Sequence, residues 1–233
     1  MKNSTALISI LWLGISIGCS KSDEVTIAAP TLNYEGDLST KLQEVGSSNV
    51  PKIDWNGHKG RFGLENVVTG VSINEKTGKV DWNETLPLQI GYPNEIKVLA
   101  FNNGGVTSSS FLIENRFQGK FTGTMDLGSA GIKSLEITFN ENGTGTLTQS
   151  FIGAPSSKAQ GTWQGRSHRI SVEHNDPLNV TSYFLQGLLH HSASGTYIEG
   201  TIEISSNPGA GKTNRVNNYQ MPFFTGTFRV DFS

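Results

Sequence analysis

From residue 117 onward, apolar and polar side chains alternate in short runs separated by Gly, Asn, Asp and Pro. Leu135, Ile137 and Phe139 fall on one side of such a run, with Glu136 and Thr138 on the other. Phe224, Phe228, Val230 and Phe232 oppose Arg229 and Asp231 in the same way. A period of two marks a strand with one dry and one wet face. The pattern predicts eight strands, at 117–125, 132–139, 145–151, 159–164, 168–174, 180–189, 195–204 and 223–232. Asn140-Glu141-Asn142-Gly143 reads as a hairpin turn, and Asp176-Pro177 breaks the chain before the sixth strand. Eight antiparallel strands are enough for a sheet to close into a small barrel, its interior either filled or just wide enough for one ligand.

Residues 26–115 follow a different rhythm. Lys76-Thr77-Gly78 supplies a turn between a strand ending at Ile73 and one starting at Lys79. Asn103-Gly104-Gly105 does the same between strands at 96–101 and 109–114. The segment 37–45 is expected to form a short helical turn. The fold class is therefore all-β, with the strands and turns of 26–115 followed by an eight-stranded antiparallel meander over 117–233.

The N-terminus reads as an address. Lys2 provides a positive start, and the apolar run 6–17 is too short for a membrane-spanning helix, which needs ~20 residues. The run ends in Ser16-Ile17-Gly18-Cys19, which resembles the lipobox of bacterial lipoproteins. That resemblance implies a signal peptide over 1–19, lipidation at Cys19 and a tether over 20–25. Ser20-Lys21-Ser22-Asp23-Glu24 is similar to the export tag on surface lipoproteins of polysaccharide-harvesting Gram-negative bacteria, implying an outer-membrane protein facing the exterior. As a plain physical reading, the same pentapeptide is a polar linker.

Composition narrows the chemistry. Eighteen basic against 20 acidic residues give a net charge of −2, which offers no field to draw in a nucleic-acid backbone. The single Cys excludes an internal disulfide. Gly209-Ala210-Gly211-Lys212-Thr213 imitates a phosphate loop, but Ser206 stands where the motif needs Gly and no helix follows. Gly14-Ile15-Ser16-Ile17-Gly18 matches a nucleophile-elbow pattern inside the signal peptide, where the chemistry has no partners. His190 and His191, adjacent on one strand, point to opposite faces and cannot share a metal. His168 and His174 stand too far apart along a strand, so no metal ligands are assigned. Glu136, Glu173, Glu199 and Glu203 read as solvent-facing strand residues, and no catalytic residue is assigned.

Two family resemblances add expectations. The runs 70–80, with Gly70-Val71-Ser72-Ile73 and Thr77-Gly78, then Leu86-Pro87, and 95–105 resemble a cadherin-like, putative-Ig domain, which implies an Ig/cadherin-like β-sandwich over 26–115. Cadherin relatives often bind calcium, but Asn102 stands where an Asp is usual and no Asp-Arg-Glu follows, so calcium enters by analogy only and no cofactor is expected. The fragments 137–145 and Gly161-Thr162-Trp163 resemble a lipocalin-like domain, with Gly119-Lys120-Phe121 in place of that family's first Gly-x-Trp. A different barrel or an open two-sheet sandwich stays open. The expected function is non-enzymatic binding of an extracellular glycan or small apolar molecule through the C-terminal domain. Trp163 leads the ligand-binding candidates, followed by Tyr183, Tyr197, Trp82 and Trp55. The alternatives are a carbohydrate-active hydrolase, or a structural adhesin or assembly subunit gripping another cell-surface protein.

Overall fold

A computed structural model describes residues 26–150, 156–176, 181–205 and 224–233. Cys19, the lipobox, the 20–25 tether, the 14–18 motif and the 209–213 loop lie outside these residues. The N-terminal part holds nine strands. β1 (Thr31–Asn33) pairs with β4 (Lys52–Asp54) in a two-stranded sheet. β3 (Gly46–Ser47), β6 (Val71–Ile73) and β7 (Val80–Trp82) form a three-stranded sheet. The largest sheet runs β2 (Leu38–Lys41), β9 (Gly105–Arg116), β8 (Asn94–Asn102), β5 (Arg61–Leu64). Its inward residues Ile96, Val98, Ala100 and Phe111 join Val80 and Trp82 of the smaller sheet in one buried cluster, so the sheets pack as a sandwich.

The turns form as their chemistry requires. Asn74 Oδ1 accepts from the backbone N–H of Lys76 at 3.0 Å and of Thr77 at 3.1 Å, and Gly78 takes φ +73°. Asn102 is engaged structurally: its amide donates to the Ala28 carbonyl at 2.8 Å, and its Oδ1 accepts from Gly104 N–H at 2.8 Å. The expected helical turn over 37–45 is corrected. Leu38–Lys41 is a strand, paired in parallel with β9. Asp37 Oδ1 accepts from Leu112 N–H at 2.9 Å, and burial alternates through Thr40 and Leu42, so pairing to an existing strand outweighs local helical preference.

The C-terminal part is a closed barrel of eight antiparallel strands in chain order. They are β10 (Gly119–Asp126), β11 (Ile132–Phe139), β12 (Thr144–Ser150), β13 (Ser157–Arg166), β14 (Arg169–Asp176), β15 (Thr181–Ser192), β16 (Gly195–Ser205) and β17 (Phe224–Phe232). Closure is made by β10 against β17, with Phe121 opposite Phe232 and Met125 opposite Phe228. Two inward glycines let neighbouring strands turn the wall: a Cβ on Gly161 would lie 1.9 Å from the Glu173 carbonyl oxygen, and one on Gly200 1.9 Å from that of Gln186.

The lumen is packed. Phe121, Ile137, Phe139, Leu147, Leu185 and Ile202, each at most 2% exposed, interdigitate along its length. Thr122, Thr124, Glu136, Lys158, Gln160 and Thr162 face outward, the reverse of the apolar band that a membrane-spanning barrel needs. Among the described residues no helix is long and apolar enough to cross a membrane.

Only Phe117 and Gln118 separate β9 from β10. Phe117 is buried in the barrel core, and so are Leu42 and Leu88 from the sandwich side. The end of the barrel carrying the 140–143, 167–168 and 193–194 turns is thus plugged by the first part of the chain. Backbone bonds from Ile90 N–H to the Ser167 carbonyl at 3.0 Å and from Ser167 N–H to the Ile90 carbonyl at 2.8 Å seal it.

Candidate binding face on the outer barrel wall

Strand register turns the outward side chains of β13 to β17 into rows. One row crosses Gln164, Ser171, Gln186, Thr201 and Thr227, all neutral hydrogen-bonding groups. The next crosses Arg166, Arg169, Leu188, Glu199 and Arg229. Between them lies a level of inward positions, Gly165, Ile170, Gly187 and Gly200, three of which carry no side chain. The two rows border a groove of about 670 Å³ on the outer wall. Leu188, 49% exposed, supplies an apolar patch in the middle of the charged row.

The charges in that row are unevenly matched. Arg229 lies 3.7 Å from Glu199 and 3.4 Å from Asp231, and His190 Nε2 is 3.4 Å from Glu199. Arg166 and Arg169 sit directly opposite each other across the β13–β14 hairpin, and neither belongs to an ion pair among the described residues. Arg166 Nε–H donates to the Tyr92 hydroxyl of the sandwich at 3.1 Å, which fixes the plane of its guanidinium.

The aromatic candidates are not brought together. Trp163 points inward at the plugged end, edge-on to Phe117 at 5.0 Å and Phe139 at 5.8 Å, with Nε1–H donating to the Asn140 carbonyl at 2.8 Å. Tyr183 is 2% exposed inside the barrel, hydrogen-bonded to the Gln149 amide. Trp82 is core to the sandwich at 6% exposure, and Trp55 leans edge-on against Phe62 in the same cluster. Tyr197 alone of the five stands on the outer wall. His190 stacks on its ring at 4.4 Å from β15, and Arg229 lies over it at 3.9 Å from β17.

The histidines separate as their parity requires. His190 faces out, while His191 faces in and binds Thr196 and the Leu86 carbonyl. His174 is wholly buried in the lumen, and burial pushes its imidazole down to about 4, only partly offset by the backbone of Gly145. Lys133 also points into the barrel, and burial lowers its ammonium below the ordinary lysine range. Among the described residues no group of three or more His, Cys, Asp or Glu is placed to hold a metal ion.

Sequence reasoning passed over Arg166, Arg169, Gln186 and Leu188. Each is an ordinary outward strand residue taken singly. The signal that finds them is the spacing of Gly165, Gly187 and Gly200 once the register is known, because it aligns three bare positions beneath two facing rows. No family profile matches this chain, and no curated protein matches it.

Proposed function

We propose that this protein is a lipid-anchored surface protein of the outer membrane that binds an extracellular glycan on the outer wall of its barrel. The observation that carries this reading is the groove of about 670 Å³ bordered by a row of amides and hydroxyls and by exposed Leu188. Sugars are bound by such a mixture: side-chain amides and hydroxyls for their OH groups, and an apolar patch for their C–H face. The packed lumen favours a glycan over a small apolar molecule, since Phe121, Ile137, Phe139 and Leu185 occupy the space such a molecule would fill. The described groove lining contains one carboxylate, Glu199, already paired to Arg229, whereas glycoside hydrolysis generally employs two carboxyl groups.

The path of the chain fits presentation away from a bilayer. Ala28 and Ala29, nine and ten positions after Cys19 in the sequence, lie against the β8–β9 hairpin at Asn102, Gly104 and Gly105. From that hairpin β9 runs 12 residues, about 40 Å, before the barrel begins. A sandwich with a cadherin-like resemblance would then act as a spacer, and the lipocalin-like barrel as the binding module.

The test is twofold. Cells grown with labelled palmitate should label the full chain and not Cys19→Ser, and protease added to intact cells should degrade the wild-type chain. The secreted form from Ser20 onward, which contains every described strand, is then titrated with a panel of neutral and acidic polysaccharides. Binding weakened at least tenfold by Gln186→Ala together with Leu188→Asp supports the groove. Unaltered affinity in that variant overturns it.

A further inference from the structure

We infer that the groove selects acidic glycans, with Arg166 and Arg169 taking a carboxylate or sulfate of the chain. The inference rests on the glycan reading above and names the class of glycan. Arg166 and Arg169 are direct cross-strand partners on the same outward face, and like charges so placed repel. Repulsive pairs of this kind are relieved on many surfaces by a neighbouring acid, and among the described residues these two have none in an ion pair. The acid nearest in register, Glu199, sits beyond Leu188 and is paired with Arg229. The unbalanced charge at this lip of the groove is therefore positive, on a protein whose net charge is −2.

Arg166 is also prepared for an anion. Its Nε–H is spent on the Tyr92 hydroxyl, which leaves the two terminal amino groups, without a partner among the described residues, in one plane to receive two oxygens of one acid group. Tyr92 is itself placed by Ile90, whose backbone pairs with Ser167 at the tip of the same hairpin. Ordering this guanidinium before a ligand arrives lowers the entropy lost on binding. The neighbouring row of Gln164, Ser171, Gln186 and Thr201 then meets hydroxyls of the adjoining sugars. Carboxylate and sulfate share this chemistry, so a uronate polymer and a sulfated polymer are the two candidate sources.

Affinity electrophoresis and calorimetry with four probes test the inference: polygalacturonate, its fully methyl-esterified form, dextran sulfate and dextran. One or both acidic polymers should bind at least tenfold more tightly than the neutral counterpart, and which of them does so identifies the acid group. Arg166→Gln and Arg169→Gln should each reduce that affinity about tenfold without lowering the melting temperature. Tyr92→Phe should weaken it by a smaller factor, since the guanidinium stays but loses its anchor. Equal binding of acidic and neutral polymers, or unchanged affinity in both Arg variants, overturns acid selection while the groove reading survives on the neutral ligand. Failure of all four probes and of the wider panel overturns both.

Discussion

His191, a barrel residue, donates from Nε2 to the carbonyl oxygen of Leu86, a sandwich residue, at 3.0 Å. A carbonyl only accepts, so this bond places the proton on Nε2 and leaves Nδ1 to accept from Thr196 Oγ1–H at 2.7 Å. Thr196 Oγ1 in turn accepts from the Gln43 amide at 3.1 Å, so four groups from both parts of the chain agree on one neutral tautomer. Burial lowers the imidazole's proton affinity, and the Leu86 bond only partly offsets it. The joint between the two parts is a built contact, not a loose linker.

The joint should make the whole chain melt as one unit. Leu88 belongs to the sandwich side in sequence yet is 2% exposed within the barrel core. Leu88→Ala should cost about 2–5 kcal/mol, and calorimetry should then resolve two transitions where the wild type has one. A single transition retained at a slightly lower temperature would show that the two parts are coupled by other contacts.

His174 gives the barrel a pH dependence. Its folded value of about 4 lies below the usual 6.5, so the unfolded chain binds the extra proton first as pH falls. The contribution is therefore fully present above pH 6.5 and is lost progressively as pH falls to about 4, a total of about 3 kcal/mol. His174→Leu should flatten the part of the stability profile between pH 7 and pH 4.5 that the wild type loses. Parallel profiles for the two proteins would mean that other groups carry the acid sensitivity.

Two inward glycines of β13 should respond differently to the same methyl group. On Gly161 it would lie 1.9 Å from a backbone oxygen of the adjacent strand, which cannot move without opening the barrel. On Gly165 its nearest neighbour, at 2.6 Å, is the Cδ1 end of Ile90, a flexible side chain at the joint. Gly161→Ala should lower stability by more than about 2 kcal/mol, or prevent folding, while Gly165→Ala costs about 1 kcal/mol. Equal denaturation midpoints would sink the account of Gly161 as a point of wall closure.

These contrasts mark what the sequence makes legible. The eight barrel strands are readable because each carries a period-two pattern: 132–139 matches β11, and 195–204 falls one residue short of β16. The Asn-Gly turn at 142–143 and the Gly-Gly hairpin at 104–105 are readable from their residues alone. β2 is not, because what makes Leu38–Lys41 a strand is its parallel partner more than seventy residues away. The outer-wall groove is hidden for the same reason: alternation says that Arg166, Leu188 and Glu199 point outward, while only the register says that they form one row. Aromatic type is likewise a poor guide to exposure, since an indole serves equally well as a platform or as a plug.

Trp163 shows which of those two roles it has. Its backbone N–H donates to the Gly143 carbonyl at 2.7 Å and its indole N–H to the Asn140 carbonyl, so one residue clamps both ends of the β11–β12 turn. Its ring meanwhile fills the space between Phe117 and Phe139 at the joint. Trp163→Phe keeps most of the ring contact and removes the indole bond, which should cost about 1 kcal/mol. Trp163→Ala empties the site and should cost about 3–5 kcal/mol. Because the ring faces inward, neither loss should reach the groove through direct contact. Polysaccharide affinity of the Trp163→Phe protein, measured well below its melting temperature, should equal that of the wild type. A tenfold loss of affinity in a fully folded Trp163→Phe protein would instead move the binding site to the plugged end of the barrel, beside the 140–143 turn.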